Sequence, residues 1–162
     1  MSDKLFQDIV IEQIQSLTEE TTKVKNKVNF TPEWSEPKPI DTNQKFGGQS
    51  KGRIKGVYKI IYKPFYEDGL PCVMYVGQGN VSQRCSRHKH VFKNNGKDLV
   101  SPNGHVSASQ AGKKMYIFDD DIDNWLFSYC NIGVKSLCSK YEEALVKEEE
   151  PEFNNSSMSG CN

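Results

Sequence analysis

The chain has 162 residues and a mass of 18.4 kDa, room for one compact domain with an arm or tail but not for two full domains. Its 21 basic and 21 acidic residues cancel, and no apolar run approaches the length of a bilayer span, which argues against a membrane partner. Five scattered cysteines (Cys72, Cys85, Cys130, Cys138 and Cys161), odd in number and without a CxxC, argue against a disulfide framework or zinc ribbon and point to free thiols. The opening Met1-Ser2-Asp3-Lys4 lacks the basic and apolar stretches of a secretory signal, so a cytoplasmic protein is the expectation.

In chain order, residues 3 to 28 read as a helix, with Ser2 as N-cap and Val10, Ile14, Leu17, Thr21, Val24 and Val28 spaced alternately by four and three. Residues 31 to 52, with Pro32, Pro37, Pro39, Gly47, Gly48 and Gly52, read as an extended linker or wrapping arm. Residues 1–52 are therefore set apart from a core over 53–155 and a short flexible tail over 156–162. Within the core, Gly56 to Tyr62 and Val73 to Gly77 are β-branched and aromatic runs separated by an Asp68-Gly69 turn signal, together a β-hairpin. A turn centred on residues 67 and 68 sets Tyr75 opposite Ile60, which brings Tyr58 to the same face one diagonal step away. A helix follows over residues 81 to 93, then a polar loop and a weaker helix over 106 to 117. A third strand spans Trp125 to Asn131, and a last helix over 140 to 149 is stopped by Pro151. That order predicts a small α+β domain: a mostly antiparallel three-stranded sheet flanked by helices.

The zero net charge conceals an asymmetry. Residues 51 to 97 hold ten basic side chains against only Glu67 and Asp68, a basic sector of the kind that binds phosphate. An ordinary solvated surface has the same signature on charge alone. Arg84, Arg87 and His88 stand at helical spacings that put them on one face, where guanidiniums can grip phosphate oxygens and an imidazole can move a proton. Beside the tyrosine-bearing hairpin they would form a pocket with two phenols, guanidiniums and one imidazole.

Gly56-Val57-Tyr58, Tyr75-Val76-Gly77, Arg84, a glutamate near the end of the core and Pro151-Glu152-Phe153-Asn154 follow one another in an order that resembles the GIY-YIG nuclease family. The resemblance covers residues 54 to 155, with valine in place of isoleucine in both tripeptides. It implies a phosphodiester hydrolase with one divalent cation, Mg²⁺ or Mn²⁺, held by the glutamate nine residues before the proline. That residue is Glu142, with Glu143 one position away. It further implies Tyr58 as general base, Tyr75 as a hydrogen-bonding anchor for water or phosphate, Arg84 as neutraliser of phosphate charge, and His88 as an aide near base or leaving group. Asn154 is implied as a structural pin, and the basic sector supplies Lys59, Lys63, Arg87, Lys89 and Lys93 as candidate contacts to double-stranded DNA. The expected protein is a type II restriction enzyme, homodimeric if its target is palindromic. A phage or mobile-element endonuclease, a catalytically silent nucleic-acid-binding module and a protein-interaction domain are the alternatives.

Each residue has a plainer reading beside this one. Ser139-Lys-Tyr-Glu142 fits a helix capping box, with Glu142 reaching back to the serine amide. Tyr58 and Tyr75 can be half-buried sheet residues. The rings of His88 and His90 point to different sides of a helix, which argues against a shared metal. Asp119 to Asp121 read as a turn with a capping aspartate, and the stretch from Asn94 to Asn124 carries no family signature.

Overall fold

The computed structural model describes residues 32–43, 46, 55–97, 99–100, 106–107 and 110–154, together with Leu5, Gln7 and Asp8. The apolar stripe from Val10 to Val28 and the 156–162 tail lie outside the described residues. Four strands form an antiparallel sheet: β1 (Lys38–Pro39), β2 (Lys55–Tyr62), β3 (Val73–Asn80) and β6 (Trp125–Asn131), in the order β1-β6-β2-β3. A separate two-stranded ladder pairs β4 (Leu99–Val100) with β5 (Val106–Ser107). The helices are α1 (Lys63–Glu67), α2 (Val81–Lys93), α3 (Gln110–Phe118) and α4 (Lys135–Glu149). No helix among the described residues is long and apolar enough to cross a membrane.

The sheet has four strands where three were expected, and the extra one comes from the arm. Trp34 bridges Cys130, Ser35 N donates to Tyr129 O at 2.8 Å, and Ile40 N donates to Trp125 O at 2.9 Å, so the arm runs along β6. Pro39 fits there because an edge strand leaves one side of its backbone unpaired. Ile40, fully buried, anchors the arm in the core.

Side-chain alternation along β2 divides the interior in two. Tyr58 and Ile60 face Val81, Cys85 and Phe92 of α2, Met115 of α3, and Trp125 and Phe127 of β6. Val57, Val76 and Cys130 face Cys138, Tyr141 and Leu145 of α4. The sheet thus lies between α2 and α3 on one side and α4 on the other. The hairpin register is the expected one, with Ile60 paired to Tyr75 and Tyr58 to Gly77. Its connection differs: the short helix α1, with Pro64 in its first turn, precedes the turn at Asp68-Gly69, and a bulge follows Ile60. The last helix also differs, starting at Lys135 rather than Lys140. Cys138, Tyr141 and Leu145 supply its buried stripe, and Cys138 N closes the first turn on Val134 O at 3.0 Å.

Beyond α4 the chain returns to the sheet. Asn154 Oδ1 accepts from Val76 N and Nδ2 donates to Val76 O, both at 2.8 Å. One side chain thereby replaces a strand partner on the outer edge of β3. Asn154→Ala is expected to cost about 1–3 kcal/mol of stability, because both edge groups lose their partner; urea denaturation measures it.

Candidate active site

Tyr58 occupies the centre of β2 and is 2% exposed, its ring stacked on Phe127 with centroids 5.1 Å apart. Its strand partner is Gly77, and a Cβ there would fall on the phenol's Cζ and Oη and come within 2.8 Å of Tyr75 Cε1. The glycine of the second tripeptide therefore gives the first tripeptide's tyrosine room to lie across β3. Tyr75 sits beside it, ring centroids 6.0 Å apart.

Asn80 caps α2 by accepting from Gln83 N at 3.0 Å, which fixes where the helix begins. From that start Arg84, Arg87 and His88 fall along the flank facing the two phenols. His88 Nε2 lies 3.0 Å from Tyr58 Oη, and the imidazole is 4% exposed. Burial, then the charges of Arg84 and Arg87, push its pKa down to about 3, so the ring is neutral. In the tautomer that carries its proton on Nδ1 the ring accepts from the Tyr58 hydroxyl, and in the other tautomer it donates to it. Burial chiefly, with Tyr75 next, raises the Tyr58 phenol well above its ordinary value, while Arg84 pulls the other way. Tyr58 therefore keeps its proton in the free protein.

Tyr58, Tyr75, Arg84, Arg87 and His88 line one cavity of about 220 Å³, closed by Gln110 and Ala111 of α3 and by Phe153. No role had been expected for Gln110 or Ala111, since nothing in the 94–124 segment shows from sequence that α3 folds over the phenols. Phe153 was visible as the aromatic after Pro151, and its burial beside Trp125 and Phe118 explains why that position is apolar.

Glu142 comes from α4, on the other layer, and is not among the residues that line this cavity. Burial chiefly raises the Tyr75 phenol, with the Glu142 charge next, while on Tyr58 that charge is the least of the influences. Burial also raises the Glu142 carboxyl above its usual value, against the pull of Arg84. The capping-box reading does not hold, because Ser139 lies inside α4, whose N-cap is Val134. Glu143 is exposed and paired with Lys147 at 3.7 Å, whereas Glu142 is half-buried on the neighbouring position of α4.

A half-buried carboxylate without an ion pair among the described residues gains by taking a cation. Among the described residues no three His, Cys, Asp or Glu side chains form a ready-made cage. Glu142 alone suits Mg²⁺, which commonly takes one or two carboxylates and completes its shell with water and phosphate.

The structure separates the expected DNA contacts. Arg87 lines the cavity. Lys59 points to the α4 face, where it pairs with Glu149 at 3.0 Å and lies 4.6 Å above the Trp34 ring. Its alternation with Tyr58 already carried that signal. Lys63 pairs with Glu67 on α1 at 3.8 Å. Lys89 and Lys93 follow Arg84 by five and nine residues, about 140° and 180° around α2 at 3.6 residues per turn, hence on its far flank. His90 is exposed while His88 is buried, so the two share no site. Asp121 caps the 3₁₀ turn Ile122–Asn124, and Asp119 accepts from Tyr62 Oη at 2.7 Å, so this cluster is a turn.

The neutral His88 makes a prediction independent of any activity. The unfolded chain takes up a proton below the ordinary 6.5 and the folded chain does not until about pH 3, so stability falls as pH drops through that window. By pH 5 the loss relative to pH 7 is about 2 kcal/mol. Urea midpoints of the wild type and of His88→Asn at both pH values test this: the variant is expected to lack that part of the slope.

No family model matches the chain, and no curated protein or solved structure matches it.

Proposed function

We propose that the chain is a small metal-dependent DNA endonuclease of the GIY-YIG type, and within that class a type II restriction enzyme. The observation that carries the reading is the convergence of two phenols, two guanidiniums and a neutral imidazole in one cavity.

In this reading Arg84 and Arg87 seat a phosphodiester, and its charge offsets the two cations that disfavour a proton on His88. The attacking water passes a proton to Tyr58 Oη as Tyr58 passes its own to His88 Nε2. The water oxygen then bonds to phosphorus, the opposite P–O bond breaks, and the departing oxygen takes up a proton from solvent. Tyr58 thus acts as base without ever standing as a phenolate, which suits a phenol held protonated by burial. Tyr75 orients the water or a phosphate oxygen, and Arg84 neutralises charge growing on phosphorus. Glu142 is the residue to hold Mg²⁺ or Mn²⁺, which when bound supplies Lewis-acid stabilisation of the leaving oxygen. A palindromic target would favour a homodimer.

Incubation of the purified chain with supercoiled plasmid and Mg²⁺, followed by sequencing of the ends, tests the reading. Defined termini are expected, and ragged ones would indicate a less selective phage or mobile-element type of nuclease. The firmly held Tyr58 proton favours one second reading, a catalytically silent nucleic-acid-binding module. That module shifts DNA in a gel and leaves it uncut with Mg²⁺.

A further inference from the structure

A second cavity, about 300 Å³, opens on the other side of Arg84 and is lined by Lys55, Gln78, Gly79, Asn80, Arg84 and Lys135. Its three cations come from β2, α2 and α4, and no acidic side chain lines it. None of the three forms an ion pair with a described carboxylate, in contrast to Lys59, Lys63 and Lys147.

The backbone builds this arrangement. Lys55 O accepts from Ile132 N at 3.1 Å and from Gly133 N at 2.9 Å, tying the start of β2 to the loop that leads into Lys135. Lys135 opens a helix of fifteen residues whose N-terminal end has no side-chain cap, so the positive end of its dipole adds to the lysine. Gly79 has φ +128°, and a Cβ on it would lie 3.2 Å from Arg84 Nε. The glycine leaves the guanidinium free to lie along the strand, between the two cavities.

We propose that this second cavity binds a backbone phosphate adjacent, on the same strand, to the one that is cut, with Arg84 shared between them. The inference rests on the proposed nuclease reading and extends it. Lys55, Lys135 and Gln78 hold the strand, while Tyr58, His88 and Glu142 act on its neighbouring linkage. The lysines are binding residues and do not touch the reacting atoms.

The test compares wild type with the Lys55→Gln/Lys135→Gln variant on a cognate duplex. Both lysines are exposed, so folding is not at stake. Affinity is expected to fall about tenfold near 0.15 M salt, and the slope of log K against log salt to flatten by about 0.9, the loss of one phosphate contact. The single-turnover cleavage rate at saturating DNA is expected to fall by less than the affinity does. A duplex with a neutral methylphosphonate next to the cut position should reproduce the variant's loss in the wild type and add nothing in the variant. Should the wild type cut while variant and wild type share one affinity and one slope, the inference is overturned and the nuclease reading stands. A wild type that neither binds nor cuts DNA overturns the nuclease reading and this inference with it.

Discussion

Glu142→Gln is expected to lower Mg²⁺-dependent cleavage by about 10³-fold or more while leaving DNA affinity intact. Glutamine keeps the shape of the side chain and removes the charge that would hold the cation. Stability should not suffer, because burial already raises the Glu142 carboxyl and a neutral amide relieves that cost. Glu143→Gln supplies the control: that side chain is exposed and, among the described residues, paired with Lys147, a contact worth at most ~1 kcal/mol. Single-turnover rates and gel-shift affinities for both variants separate loss of chemistry from loss of binding. Equal losses at the two positions would contradict the assignment.

Tyr58→Phe is expected to cost about 10²–10⁴-fold in the same single-turnover rate, the range for removing a positioned proton-transfer group. The phenylalanine ring retains its stack on Phe127 and its place over Gly77, so the cavity persists. What disappears is the hydroxyl 3.0 Å from His88 Nε2, and with it the proposed path from water to imidazole. Leaving that buried nitrogen without the hydroxyl should destabilise the fold by about 1–3 kcal/mol. A Tyr58→Phe protein that binds and cuts DNA as the wild type does would remove Tyr58 from the reaction.

The hairpin register was legible because β2 and β3 are regular and strongly β-forming, and Ile60 does face Tyr75. The helix over 81 to 93 was equally clear, with Asn80 before it and apolar residues at helical spacing. The arm's strand was not legible, since two residues including a proline carry no periodicity and are held by the backbone of β6. The start of α4 was misplaced because Ser139 and Glu142 imitate a capping box, whereas burial of Cys138 draws the helix back to Lys135. Spacing paired Tyr58 with Tyr75 and set Arg84 and His88 on one helix face, while the family resemblance joined the two pairs and selected Glu142. Where α4 lies against the sheet was not legible, because it depends on how two layers pack. Lys55 and Lys135 stayed hidden for the same reason, each at the end of a different element.

A crystal structure of the Glu142→Gln variant with duplex DNA would examine the geometry directly. The account predicts the cleavable phosphorus over the cavity between Tyr58, Tyr75 and Arg84, with the next phosphate against Lys55 and Lys135. A duplex seated instead on the α4 face, along Lys59 and Trp34, would contradict it.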